Sequence, residues 1–255
     1  MNHQMILFDL DGTLFTSDST ISPITANSIK SCKQKGYRIG IITARTKSEK
    51  NVRLLNGIPY DFIAFYNGAE MYVENQLIES NALPYRQASL ILLRLNEDFP
   101  DLVIDVHNET WSYSSIRGEI CHIGSGRRKT CNLGELPVCD VQRIRMKSGF
   151  LASIPLKNYM TADSAFYHTA FGDAIIVHKN ANKGYAAKRA SEFFVIPLTS
   201  MMAFGDDIND IDMLENVGIG VAMGNAVPGL KKIADYVTEA NDCNGIATWI
   251  NEHLV

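Results

Sequence analysis

The chain holds 255 residues, with 24 basic against 28 acidic side chains for a formal net charge of −4, and 46% of its residues are hydrophobic. That length suits fewer than two ordinary domains, or one domain carrying a substantial insertion, and the composition excludes a disordered chain, a coiled coil and a fibrous repeat. Mild acidity argues against a nucleic-acid partner, and no uncharged apolar run reaches the ~18 residues that suggest a membrane span. The five scattered cysteines (Cys32, Cys121, Cys131, Cys139, Cys243) make no disulfide framework, and the first residues carry no basic leader. The expectation is a cytoplasmic protein with reduced thiols.

Residues 4–10 form a nearly continuous apolar run, the pattern of a strand buried on both faces of a parallel sheet. Ser22-Pro23 supplies an N-cap and first-turn pair and Gly36 a stop, which predicts a helix over 23–35. A second buried strand follows at 38–43, a helix at 46–56 closed by Gly57, and a third strand at 61–66. Residues 82–180 break this rhythm: a helix at 85–97, with apolar Leu92, Leu93 and Leu95, leads into β-rich stretches at 102–106 and 141–146. The alternation then returns, with helix 183–194, strand 201–204, helix 207–216, strand 219–223, helix 227–234 and strand 235–238. Strands alternating with helices imply right-handed βαβ units. The expected fold is α/β, a doubly wound parallel-sheet core from residues 1–81 and 181–255 with an inserted α+β unit at 82–180.

The strongest local feature is Asp9-Leu10-Asp11-Gly12-Thr13, at the carboxyl end of the first strand, where open parallel sheets bind ligands. Two carboxylates one residue apart repel unless a cation or shared proton offsets them, and Gly12 lets the backbone approach a ligand closely. Alone, this reads equally well as a solvated acidic turn. A second cluster, Gly205-Asp206-Asp207-Ile208-Asn209-Asp210, ends a later buried strand. Asp206 and Asp210 stand four apart and can share a helix face. Together with Asp9 they offer hard oxygen ligands of the kind Mg²⁺ takes. Thr43 ends the second strand beside Ala44, and Lys183 opens a helix just after the insertion. Both are donors of the type needed around a phosphoryl group.

Taken in order, these motifs resemble the haloacid dehalogenase superfamily, and within it the Cof-type phosphatases with a large α+β cap. Met223-Gly224-Asn225-Ala226 and the segments at 234–238 and 244–246 fit the same resemblance. The resemblance implies Asp9 as nucleophile, Asp11 as general acid and base, and Gly12, Thr43, Ala44 and Lys183 around the phosphate. It implies Mg²⁺ held by Asp9, the Asp11 backbone carbonyl and Asp206, with Asn209 and Asp210 orienting the metal shell or phosphate. Asp207 departs from the many relatives that have Gly there; it either joins the metal shell or caps the helix.

Thr43 and Lys183 stand 140 positions apart, far more than a βαβ crossover needs, so the cap belongs between them and its inner face chooses the substrate. The basic run Gly126-Arg127-Arg128-Lys129 is a weaker candidate for holding a second anionic group, against a solvated loop. Histidines 107, 122, 168 and 178 lack metal-ligand spacing, and Trp111 and Trp249 read as packing residues. The expected activity is Mg²⁺-dependent hydrolysis of a small phosphorylated metabolite, such as a sugar phosphate, by a monomer or weak homodimer without nucleic-acid or membrane partners. A phosphomutase on the same scaffold and a silent phosphate-ligand sensor are the alternatives.

Overall fold

The structure is a computed structural model that describes residues 4–108, 112–115, 128–130, 138–147, 149, 151–169 and 172–254. Gly126 and Arg127 of the basic run lie outside these residues, as do Trp111, Cys121, His122 and Cys131. The chain forms two compact units, one from residues 1–45, 50–79 and 182–255 and one from 46–49 and 80–181. Among the described residues, no helix is long and apolar enough to cross a membrane.

The first unit is built on an eight-stranded sheet. Its strands are β1 (Met5–Phe8), β2 (Arg38–Ile42), β3 (Phe62–Phe65), β4 (Glu70–Val73), β5 (Gln76–Ser80), β12 (Met201–Gly205), β13 (Ile219–Ala222) and β14 (Tyr236–Val237). Their order is β14-β13-β12-β1-β2-β3-β4-β5, parallel from β14 to β3, with β4 antiparallel to β3. The α/β doubly wound sheet is therefore present. Every side chain of β1 is fully buried, as a central strand covered on both faces requires. The strand order reverses at β1, with β2 on one side and β12 on the other. That makes the carboxyl ends of β1 and β12 the switch point.

Local chemistry sets the element boundaries. Helix α1 (Pro23–Gln34) starts where Ser22 Oγ accepts from the Thr25 amide at 3.1 Å. Helix α2 is shorter than its pattern, only Glu49–Arg53. The chain leaves β2 through a turn in which Thr43 Oγ1 accepts from the Arg45 amide, delaying the helix start. The β4–β5 hairpin is absent from the sequence reading because its two-residue turn is Glu74-Asn75, without glycine. Both residues nevertheless adopt the left-handed φ (49° and 66°) that such tight turns demand.

The second unit has a six-stranded sheet, ordered β10-β11-β9-β6-β7-β8. These are β6 (Val103–His107), β7 (Ser112–Ser114), β8 (Arg128–Thr130), β9 (Arg143–Lys147), β10 (Ser164–His168) and β11 (Ala174–His178). Helix α3 (Tyr85–Asp98) buries Ala88, Ile91, Leu92 and Leu95 against Ile104, Val106, Ile144, Met146 and Ile176. That is one stripe of an amphipathic helix. Leu93 lies off the stripe and is exposed.

Asp61 ties β2 to β3 and α1. Its carboxylate accepts from Lys33 Nζ (2.7 and 2.6 Å), Arg38 Nη1 (2.6 Å) and the Ile39 amide (2.8 Å). Burial works to raise its pKa, and these donors outweigh burial and hold it below the usual carboxylate range of 3.8. A depressed folded-state pKa gives stability that is present above 3.8 and lost as pH falls through the folded value. Asp61→Asn should cost on the order of 1–3 kcal/mol at neutral pH, the value of charge-assisted hydrogen bonds. Urea unfolding at a series of pH values should show the gap to wild type closing below about pH 4. A gap that is independent of pH would remove the charge from this account.

Candidate active site

The site residues converge because β1 and β12 are adjacent and in register, Phe8 opposite Phe204. Asp9, whose amide donates to the Phe204 carbonyl at 3.1 Å, and Asp206 leave the sheet side by side. Helix α4 (Lys183–Phe194), capped by Asn182 Oδ1 accepting from the Tyr185 amide at 2.7 Å, brings in Lys183 at its first position. Lys183 Nζ donates to Asp9 Oδ1 and to Asp210 Oδ1, each at 2.6 Å, with the lysine 1% exposed. Carboxylate oxygens of Asp9, Asp206 and Asp210 lie within 4.8 Å of one another.

The three carboxylates have different work. Asp210 spends Oδ1 on Lys183, and its Oδ2 accepts from the amides of Asp206 and Asp207 at 3.0 Å each. Asp210 therefore shapes the loop. Asp206 accepts from Thr13 Oγ1 through Oδ1 at 2.7 Å. Asp9 Oδ2 and Asp206 Oδ2 make no hydrogen bond among the described residues. Gly12, with φ +79°, packs on that second oxygen: a Cβ at Gly12 would lie 2.2 Å from Asp206 Oδ2. Its glycine is thus required by Asp206 itself. Asp207 caps the 3₁₀ turn at Ile208–Asp210 by accepting from the Ile208 amide, which answers its role as a cap.

Electrostatics favour a cation here. Burial, assisted by Asp210 and Asp206 and opposed by Lys183, raises the pKa of Asp9 well above 3.8. Burial also lifts Asp206 to about 6, against the Thr13 hydrogen bond. Lys183 is pushed up, because Asp210 and Asp9 outweigh its own burial. Three carboxylates stand against one ammonium, which bonds two of them, and two hard oxygens have no donor among the described residues. That donor set fits a divalent cation.

Asp11 is held by Arg45. Its side chain, 54% exposed, pairs with Arg45 through Nε (2.8 Å) and Nη2 (2.5 Å). The Arg45 guanidinium stacks 4.9 Å from the Phe15 ring centroid and donates to Asn51 Oδ1 at 3.1 Å. Thr43, 1% exposed, ends β2 one strand away from Asp9, with Ala44 beyond it. Asn209 Nδ2 donates to Asn67 Oδ1 at 2.9 Å. Asn225 Nδ2 donates to the Gly12 carbonyl at 2.8 Å, pinning the first loop. Sequence reasoning assigned no role to Arg45, Asn67 or Asn225. For Arg45, the available signal was a cation two places beyond Thr43, at the same sheet end as the acidic pair.

Lys183→Met leaves Asp9 and Asp210 without their shared cation. Breaking a buried pair in this way should cost about 3–5 kcal/mol at neutral pH. In metal-free buffer the loss should shrink as pH falls and the carboxyls take up protons. An unfolding midpoint unchanged at pH 7 would show that Lys183 does not hold the cluster together.

The haloacid dehalogenase-like hydrolase family matches residues 6–250. The 5-amino-6-(5-phospho-D-ribitylamino)uracil phosphatase YitU of Bacillus subtilis is 25% identical over 270 residues, covering 98% of this chain and 97% of the relative. A solved haloacid dehalogenase-like hydrolase from B. subtilis is 27% identical with a TM-score of 0.83, covering 99% of this chain and 100% of that one. A haloalkanoate-superfamily phosphatase from Bacteroides thetaiotaomicron shares the fold, with a TM-score of 0.85 at 21% identity over 98% of this chain and 95% of that one. The family match omits only five residues at each end, so the chain belongs to the haloacid dehalogenase-like hydrolases and is a Cof-type phosphatase acting on phosphate monoesters.

Proposed function

We propose that the protein hydrolyses small phosphorylated metabolites, sugar phosphates or related monoesters, in a Mg²⁺-dependent reaction through an aspartyl phosphate on Asp9. The observation that carries this reading is the state of the Asp9 carboxylate. Lys183 holds Oδ1, and Oδ2 has no hydrogen bond among the described residues, at the switch point of the sheet. Such a group is oriented to attack phosphorus. YitU, named for a phosphoribityl substrate, supports the choice of a small phosphate ester.

Each residue then has a step. Asp9 Oδ2 bonds to phosphorus as the ester P–O bond breaks. Asp11, protonated and released from Arg45, gives its proton to the departing oxygen. The resulting Asp11 carboxylate takes a proton from water, whose oxygen attacks phosphorus and expels the Asp9 carboxylate, leaving inorganic phosphate. Lys183 offsets charge on Asp9, and the Thr43 hydroxyl with the Gly12 and Ala44 amides donates to phosphoryl oxygens. Bound by Asp9, Asp206 and the Asp11 carbonyl, Mg²⁺ would neutralise the phosphate against the incoming carboxylate. Asn209 and Asp210 orient this shell.

Phosphate release from a panel of phosphorylated metabolites, with Mg²⁺ and with EDTA, tests the proposal. EDTA should silence the protein and Mg²⁺ should restore it. Asp9→Asn should abolish turnover of every ester. Asp11→Asn should slow alkyl phosphates by about 10²–10⁴-fold, the scale of general acid catalysis. Aryl phosphates, with better leaving groups, should lose less while phosphoenzyme accumulates, visible as added mass on Asp9. Turnover surviving in Asp9→Asn would overturn the covalent route.

A further inference from the structure

The turn that follows β3 has no part in the steps above. Tyr66, Asn67 and Gly68 have φ values of 53°, 58° and 94°, three left-handed residues in succession. A non-glycine residue there costs about 1–2 kcal/mol. Such strain persists only where the surroundings over-determine it. Here the surroundings are the other loops of the site. The Tyr66 amide donates to the Arg45 carbonyl at 2.9 Å, and the Asn67 amide to the Thr43 carbonyl at 2.8 Å. The Asn67 side chain, 3% exposed, accepts from Asn209 at 2.9 Å. Gly68 abuts the first turn of α4, where a Cβ would lie 2.8 Å from the Asn182 carbonyl and 2.7 Å from the Ala186 Cβ. One three-residue turn touches the segments that carry Thr43, Asn209 and Lys183.

We propose that Asn67 is a positioning residue of the phosphatase reaction. Its amide oxygen fixes Asn209, and its left-handed backbone fixes the loop of Thr43, so that both loops keep one geometry around Asp9. The inference rests on the reading of Asn209 as a residue that orients the phosphate or metal shell. Its rival is plain: Asn tolerates positive φ, and a buried turn needs such a residue. Asn67→Gly separates the two, because glycine keeps the backbone freedom and removes the amide. Asn67→Ala removes the amide and adds strain.

Two readouts on the full chain test this. The first is kcat and KM for p-nitrophenyl phosphate in wild type, Asn67→Gly, Asn67→Ala, Asn209→Ala and the Asn67→Gly/Asn209→Ala pair. The second, independent of turnover, is the rise in melting temperature on adding Mg²⁺ with inorganic phosphate. Outer partners of ligating groups are worth about 10–100-fold in activity or affinity. Asn67→Gly should lose activity on that scale and lose most of the ligand-induced melting shift. Asn67→Ala should lose the same activity and melt lower. The double variant should lose no more than the worse single one, because both act through one hydrogen bond. Wild-type behaviour of Asn67→Gly in both readouts would overturn the inference, as would losses that multiply in the double variant. Asn209→Ala indistinguishable from wild type would overturn it together with the role given to Asn209. Turnover of the wild type, and its loss in Asp9→Asn, would leave the phosphatase reading intact in either case.

Discussion

A single ammonium group carries the electrostatics of the carboxyl end of the sheet. Lys183 is 1% exposed and bridges Asp9 and Asp210 at 2.6 Å each, joining residues 174 and 27 positions away. An ammonium removed from water is costly unless it is paired, and two carboxylates supply that pairing. Two carboxylates around one ammonium in turn leave a negative excess, which Asp206 enlarges. The geometry that fixes the proposed nucleophile is thereby the geometry that calls for a second cation. Stability and chemistry meet in one group, and neither can be adjusted without the other.

The surrounding loops serve that arrangement by passing strain and hydrogen bonds between segments far apart in sequence. Asp210 closes the β12 loop on itself through two amides. Thr13 reaches from the first loop to Asp206. The C-terminal stretch returns the favour: Asn225 holds the Gly12 carbonyl, Asn241 the Phe15 carbonyl, and Asp242 the Ser17 amide. The loop after β1 is thus clamped along its length by residues that carry no chemistry of their own. Such contacts limit the freedom of Gly12, a residue whose intrinsic flexibility would otherwise blur the position of the Asp11 carbonyl.

Much of this was legible in the residues. The buried runs at β1, β2 and β12 are continuous because a parallel sheet covers both faces, and their acidic ends mark the switch point. The ordered motifs then identify the family. Legibility fails where a residue acts through an unusual backbone or a distant partner. Glu74-Asn75 turns a hairpin without the glycine that would announce it. Asn67 looks like an ordinary loop residue until its φ and its contact with Asn209 are known. Asp11 shows the limit differently: the ion-pair partner of its carboxylate is Arg45, 34 positions away. Spacing along a chain reports neighbours within an element and says little once the element ends.

The different partners of Asp9 and Asp11 suit two properties the proposed reaction needs. The proposed nucleophile must be immobile, since in-line attack tolerates little misplacement, and Asp9 is 5% exposed with one oxygen anchored. The proposed acid and base must do the reverse. It has to gain a proton, deliver it to a departing oxygen and recover one from water, so it needs access to solvent and freedom to turn. Asp11, with its side chain 54% exposed, has the access, and the freedom follows once it leaves Arg45. Arg45, its side chain 20% exposed and stacked on Phe15, holds Asp11 at rest through two hydrogen bonds, and release of Asp11 breaks both. A buried partner such as Lys183 in the same role would fix the carboxylate too firmly for it to change hands. One residue between the two aspartates is enough to place them on opposite sides of this requirement.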